Sequence, residues 1–415
     1  MFAYPPRPPR LPIPSPQHSA PACKPVNLPT EVILTILEAA YLTPTLQPDR
    51  RLLTTASGVC RSWSGPAQAL LFRDVVLHSE LAYAAFMSAT RPCTPRGLAH
   101  ARCVRTLHAI VDNAQPGGLR AVSFAGAVGR CPNLQDVDLS CFGAPPVPES
   151  ESAPTASRTS TAPSGAGAHA FFDAHALALL RTGPALASLR LANWSHDPAL
   201  LAQLLAVYPA VRALALRGTA AGLRRVPAGP LPHGLRLTLQ PPAPPALLRW
   251  LADCPAPALR TLEFTRQPPA AVLERLLAAH GPTLRALAVP SLLASARALV
   301  RARCPRLAVL RVEHPWTSPA VFKDAPPACA LRRVAFGADA DTPLRPVIEF
   351  VRAQPGVERV LMMLWTRRAG EQARPAHPQL DELREVCAQR GVQFAVETDA
   401  RVFRAVGASR AFFDV

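Results

Sequence analysis

Lysine is nearly missing from this chain of 415 residues: only Lys24 and Lys323 are lysines, so arginine supplies almost all of a formal net charge of +17. Metal- and redox-type cysteine pairs are missing too. Ten cysteines are spread irregularly and none forms a C-x-x-C pair, which speaks against a disulfide framework and for reduced thiols in the cytosol or nucleus. No window of about 18 residues is free of charge and proline, so no membrane span is expected. The opening MFAYPPRPPRLPIP has no apolar stretch of the secretory kind, and its prolines forbid the amphipathic helix of a transit peptide. Basic residues are not interleaved with aromatics, and the longest basic runs are pairs such as Arg224-Arg225, Arg332-Arg333 and Arg367-Arg368. A nucleic-acid binder would need a denser patch, so the charge reads as compositional bias.

What is abundant is proline, 48 residues, and apolar side chains, 49%. Prolines at this frequency imply many short elements with frequent breaks. Residues 1–25 form a Pro-rich leader expected to be disordered. Pro5, Pro8 and Arg10 fit a P-x-x-P-x-R pattern, which is short enough to arise by chance. A first helix is expected from about Thr30 to Tyr41, with Pro29 suited to its start. Glu31, Thr35 and Glu38 make one narrow polar stripe on it, and the remaining surface is apolar. A second helical stretch carries Leu52, Leu53, Ala56, Val59, Cys60 and Trp63, and Ser64-Gly65-Pro66 is expected to break it. A third short helix holds Ala69 to Phe72, and Asp74–Leu77 reads as a strand.

The residues Leu28-Pro29-x-Glu31-Val32-Ile33, Ile36-Leu37, Leu52-Leu53, Val59-Cys60-Arg61-Ser62-Trp63 and Leu70-Leu71-Phe72-Arg73 resemble an F-box, particularly its fungal form. The resemblance covers residues 26–77 and departs from the family in a long loop between the first two helices. It implies docking onto a small Skp-type adaptor that bridges to a cullin in an SCF-type ubiquitin ligase. Leu28 and Pro29, with Ile33, Ile36 and Leu37, would then meet the adaptor. Leu53, Val59, Cys60 and Trp63 would divide between that contact and the unit's own core. Independently, a unit of about 50 residues buries little of its surface, and apolar helix faces it cannot cover imply a partner.

Beyond residue 78 one phrase recurs: a turn residue, then apolar-x-x-apolar-x-apolar. Its lead residues are Leu186, Val211, Leu235, Leu259, Leu284, Leu307, Leu331 and Val357, at separations of 25, 24, 24, 25, 23, 24 and 26. Earlier copies stand near residue 103 and at 131–139. A period of 20–29 with L-x-x-L-x-L is the leucine-rich-repeat signature. Amphipathic segments lie between copies, such as Leu200-Leu201 with Leu204-Leu205. One strand and one helix cannot bury their apolar faces alone, so the copies must stack. The expected fold class is therefore α/β: a small amino-terminal three-helix unit, then residues 78–415 as a degenerate solenoid of short parallel strands alternating with helices. The Ser/Pro/Ala/Gly stretch 143–169 reads as a disordered insertion.

In such a repeat the side chains between the strand leucines point to the concave face. These include Asp136, Asp138, Arg190, Arg217, Arg236, Thr261, Glu263, Arg311, Glu313 and Arg333. Arg190, Arg217 and Arg236 come from successive copies and form a candidate basic stripe for an acidic or phosphorylated target segment. No catalytic, metal or cofactor site is expected. Ser195-His196-Asp197 are consecutive and cannot converge as a triad. Gly165 and Gly167 sit in low complexity, and His169 and His175 lack ligand partners at metal spacing. Cys131, Cys254 and Cys304 each precede a proline at one repeat position, as small turn residues would. The expectation is a non-enzymatic receptor that brings an unknown target protein to the ligase. A leucine-rich-repeat scaffold without degradative function is the alternative.

Overall fold

The computed structural model describes residues 28–41, 48–143, 171–195, 197, 199–218, 234–239, 245–253, 259–315, 318–323, 330–365, 377–400 and 402–404. The Pro-rich leader with Pro5, Pro8 and Arg10, and the insertion 143–169 apart from Gly143, lie outside the described residues.

The chain begins with α1 (Thr30–Ala39), α2 (Arg50–Val59) and α3 (Arg61–Leu71). Pro29 has an extended backbone, and its carbonyl accepts from the Val32 and Ile33 amides, starting α1. Asp49 caps α2 by accepting from the Leu52 amide at 2.9 Å. Ile33, Leu37 and Tyr41 repeat at i, i+4 and i+8, and they meet Leu53, Ala56, Ala67 and Leu70 in a core of seven buried residues. The expected break at Ser64-Gly65-Pro66 does not occur: α3 runs through Pro66. The chain turns instead at Cys60, whose extended backbone separates α2 from α3. Packing of Ala67 and Leu70 on α2 and α1 outweighs the proline's preference for a helix end.

Among the described residues twelve strands then form one sheet in strict chain order, each parallel to its neighbours: β1 (Asp74–Leu77), β2 (Thr106–Asp112), β3 (Asp136–Phe142), β4 (Ser188–Asn193), β5 (Ala213–Gly218), β6 (Gly234–Leu239), β7 (Thr261–Phe264), β8 (Ala286–Val289), β9 (Val309–Val312), β10 (Arg333–Ala338), β11 (Arg359–Leu364) and β12 (Gln393–Glu397). A helix follows most strands, which is what parallel neighbours require of their connections. The first are α4 (Glu80–Ala89), α5 (Pro95–Cys103) and α6 (Ala121–Arg130). β1, grouped with the amino-terminal unit when read by sequence, is thus the first strand of the sheet.

The inward row of the sheet is Leu107, Val137, Leu189, Leu214, Leu235, Leu262, Leu287, Leu310, Val334 and Val360, in register and buried. The turn-side leads Val104, Leu134, Leu186, Val211, Leu259, Leu284, Leu307, Leu331 and Val357 join the same core. Helix residues such as Leu201, Leu251, Leu277, Val351 and Val386 close it from one side. One lead expected from the repeat pattern differs in the structure. Leu235 pairs with Leu214 and Leu262, so it is a strand residue three positions past the lead. The bundle is tied to the sheet at one edge. The Tyr41 hydroxyl donates to Asp74, Arg50 donates to the Asp74 carbonyl at 3.2 Å, and Phe72 stacks on His100 of α5 at 4.0 Å.

Candidate interaction surfaces

The bundle sorts the apolar residues of α1 into two stripes. Ile33 and Leu37 point inward and are 0% and 2% exposed. Val32 and Ile36, at i and i+4, remain 42% and 43% exposed, and Leu28 just before the helix is 39% exposed. On α2, Leu53 is buried while Leu52 and Val59 face solvent, Val59 at 64%. Pro29 and Cys60 are exposed and Trp63 is half-buried against the core. Ile33, Leu37 and Leu53, expected at or near the docking surface, are therefore packing residues. Three neighbouring turns of α1 cannot all be covered by a third helix that touches one face of it. Val32 and Leu52 take their place at the surface. The four-residue spacing from Val32 to Ile36 marks a second apolar stripe, and the position of α3 decides which stripe turns inward.

Cys60 also has a distinct chemistry. A hydrogen bond from Ser62 and backbone donation from Trp63 and Ser62 hold its thiol below the usual cysteine range. By contrast, burial raises Cys131 to about 12 and Cys304 to about 11. Cys131 donates to the Ala127 carbonyl at 3.3 Å, as a buried turn residue. Cys254 lies outside the described residues.

The sheet's open face, opposite the helices, carries Arg190, Arg217 and Arg236 of the expected stripe on adjacent strands, but not in one row. One register row reads His108, Asp138, Arg190, Ala215, Arg236, Glu263, Ala288, Arg311 and Ala335. Arg217 sits two residues farther along, level with Ala192 and Thr238. Arg236 is level with Arg190, so the copy with the misplaced lead is not the one out of line. Arg217 stands six residues past its lead Val211, where Arg190 stands four past Leu186. Arg190 is exposed and stands 3.9 Å from Asp138, whose other neighbour is His108 at 3.7 Å. Burial works against the Asp138 charge, but the His108 hydrogen bond and the charges of His108, Arg190 and Arg217 outweigh it, holding the carboxyl below its ordinary pKa. Arg236 donates to Glu263. Its burial lowers the guanidinium pKa against the pull of Glu263.

Glu263, Arg311 and Glu313, expected to be exposed, are buried in an ion-pair chain. Glu263 accepts from both Arg236 and Arg311. Arg311 Nε lies 3.4 Å from Glu313 Oε1. Arg404 then grips Glu313 Oε2 through Nε at 2.9 Å and Nη2 at 2.7 Å. Trp365 Nε1 donates to the Glu313 carbonyl at 2.9 Å. A Cβ at Gly337 would overlap that carbonyl, so only glycine fits there.

Ser195 and Asp197 hold a loop together. Asp197 accepts from the Phe171 and Ala199 amides at 2.6 and 2.7 Å, and Ser195 donates to Asn193 at 2.7 Å. Both are buried, and their bonds tie the end of β4 to Phe171 at the start of the segment before it. Among the described residues no group of three or more His, Cys, Asp or Glu is placed to hold a metal ion. Among them, too, no helix is long and apolar enough to cross a membrane. Compared with models of known protein families and with curated proteins, the chain matches none.

Proposed function

We propose that this chain is the substrate-receptor subunit of an SCF-type ubiquitin ligase, acting without a catalytic centre of its own in the cytosol or nucleus. Its amino-terminal bundle is an F-box that docks a Skp-type adaptor and through it a cullin, and its repeat sheet captures a target protein. The observation that carries this reading is the outward apolar stripe Val32 and Ile36 of α1, with Leu28 just before the helix and Leu52 and Val59 on α2. A seven-residue core has no capacity to cover it, and an apolar surface of this kind marks a partner. The same residues belong to the LPxE and VCRxW phrases that resemble the F-box. The open face of the sheet supplies the second half: mixed charges within reach of solvent on rigid strands, suited to a polar protein segment.

Co-purification of the full chain with a Skp-type adaptor tests it. Capture should be lost in Ile36→Glu/Val59→Glu, which adds charge to the stripe without touching the core, and kept in Arg190→Glu/Arg217→Glu. Equal capture by the stripe variant and the parent chain would overturn the docking surface. Capture of the adaptor with no change in turnover of co-captured proteins would favour the scaffold reading.

A further inference from the structure

The open face of the sheet changes character along its length. From β2 to β7 its rows carry His108, Asp138, Arg190, Arg217, Arg236 and Glu263. From β8 to β11 the row of His108 and Glu263 continues as Ala288, Arg311, Ala335 and Leu361, and the rows beside it carry Ala286, Val309 and Met363. The small residues Ala335 and Gly337 of β10 leave a recess between the longer side chains of β9 and β11. This apolar section is not open to water. Phe403, on a helical turn at residues 402–404, lies in it and is 1% exposed. The next residue, Arg404, makes the two-pronged contact with buried Glu313 and receives a hydrogen bond on its own carbonyl from Arg311 at 3.4 Å.

We infer that this recess is a docking site for a protein segment bearing an aromatic residue followed by arginine, and that Phe403-Arg404 occupies it in cis until such a partner segment displaces it. The recess supplies both halves of the recognition. A smooth apolar floor takes the ring, and a buried carboxylate, oriented by Arg311 and by the close approach of Gly337 and Trp365, reads a guanidinium bidentately. Arg236 and Arg311 match Glu263 and Glu313 in charge, but the hydrogen bonds on Glu313 Oε2 come from Arg404. A displacing segment must therefore bring a guanidinium of its own to this buried carboxylate. Arg404 itself remains 41% exposed in its side chain, so the grip on Glu313 is reachable from solvent. The segment follows β12 within a few residues, so it competes as an intramolecular ligand at millimolar effective concentration. A partner must present the same chemistry with more contact area, and the adjoining charged rows of β4 to β7 offer that area. The inference rests on the sheet face being the target surface, as proposed above, but not on the adaptor.

The test uses the full chain and a fluorescent synthetic peptide of residues 399–407. The peptide should bind a chain carrying Phe403→Ala and Arg404→Ala at least about ten-fold more tightly than the parent, because the cis competitor is gone. Adding Glu313→Gln to the opened chain should weaken binding by about ten-fold or more. Equal affinity for parent and opened chain, or no binding to an opened chain that keeps its thermal transition, overturns the inference. Should the opened chain not fold, hydrogen exchange on the parent decides. Amides of residues 402–404 should exchange far faster than those of β10 and β11, and exchange at the same rate as those strands overturns displacement. Adaptor capture is measured on the same samples. Peptide binding without adaptor capture would sink the ligase reading and leave the recess, and the reverse would do the opposite.

Discussion

The bundle at residues 28–71 and the sheet that follows it solve burial in opposite ways. The bundle has seven buried residues and leaves Val32, Ile36 and Val59 in solvent. The sheet runs one continuous core through twelve strands and, toward its later strands, buries even charges, Glu263, Arg311 and Glu313. A stacked repeat gains two neighbours per unit, so each added copy closes the face of the last. Among the described residues the three-helix unit has no such neighbour on its far side. Exposed apolar surface on the first and buried ionic surface on the second are therefore expressions of one constraint, the number of faces each unit can cover.

The comparison breaks most visibly if a buried charge is removed from the sheet. Glu263→Ala leaves Arg236 and fully buried Arg311 short of their shared carboxylate, and should cost about 3–5 kcal/mol in the denaturant unfolding of the sheet. Arg345→Ala, which severs an exposed Arg345–Glu349 pair on a helix surface, should cost about 0.3–0.5 kcal/mol. If the two variants unfold alike, the ion-pair chain contributes no more than surface charge does.

Next in size is a cut through the bundle. Leu37→Ala opens a cavity in a core with few other members and should cost about 2–5 kcal/mol. That loss should appear as local opening of residues 28–71, seen by hydrogen exchange, while the amides of β3 to β11 keep their protection. Ile36→Glu, one position away on the outward stripe, should shift stability by less than about 0.5 kcal/mol and abolish adaptor capture. Global unfolding by Leu37→Ala would show that the Asp74 and His100 contacts couple the two regions into one cooperative unit.

These pairs also show what was readable before any coordinates. The parallel strand-helix solenoid followed from a leucine recurring about every 24 residues, because one phrase per unit sets both the strand and the turn before it. The misplaced copy at Leu235 shows the limit: a lead and a strand leucine look alike when three residues apart, and only pairing to Leu214 and Leu262 separates them. The expected arginine stripe is staggered for another reason: Arg217 stands six residues past its lead and Arg190 only four past its own. The split of α1 into inward Ile33 and Leu37 and outward Val32 and Ile36 was not readable either. Both stripes have helical spacing, and which one turns inward depends on where α3 lies. The contact of Phe403 and Arg404 with the sheet joins residues some 90 positions apart to Arg311 and Glu313, and no local pattern announces it.

A smaller effect sharpens the electrostatic side of the comparison. Asp138 has a folded pKa held below its ordinary value. Its contribution to stability is therefore fully present above the unfolded aspartate value of about 3.9 and is lost as pH falls through the lower folded value. Asp138→Asn should destabilise the sheet at neutral pH, and the difference from the parent should shrink and vanish on acidification below that range. Denaturant midpoints measured against pH would show it. A difference constant with pH would mean that Asp138 acts through packing.

The smallest effect is chemical, and it concerns the bundle's surface alone. Cys60 sits at the turn between α2 and α3, exposed, with hydrogen bonding from Ser62 and Trp63 favouring its thiolate. Cys131, Cys304 and Cys387 are buried in the sheet's core, and burial lifts them to about 12, 11 and 11. The thiolate is the reacting species, so a thiol reagent near neutral pH should modify Cys60 early and leave these three untouched in the folded chain. Ser62→Ala removes the side-chain donor and should slow that reaction. Because Cys60 adjoins Val59 on the outward surface, a bound adaptor should shield it. Labelling of the chain alone and with the adaptor, read residue by residue by mass spectrometry, measures this. Unchanged Cys60 labelling in a chain that demonstrably holds the adaptor would place the docking surface on α1 alone and remove Val59 and Cys60 from it.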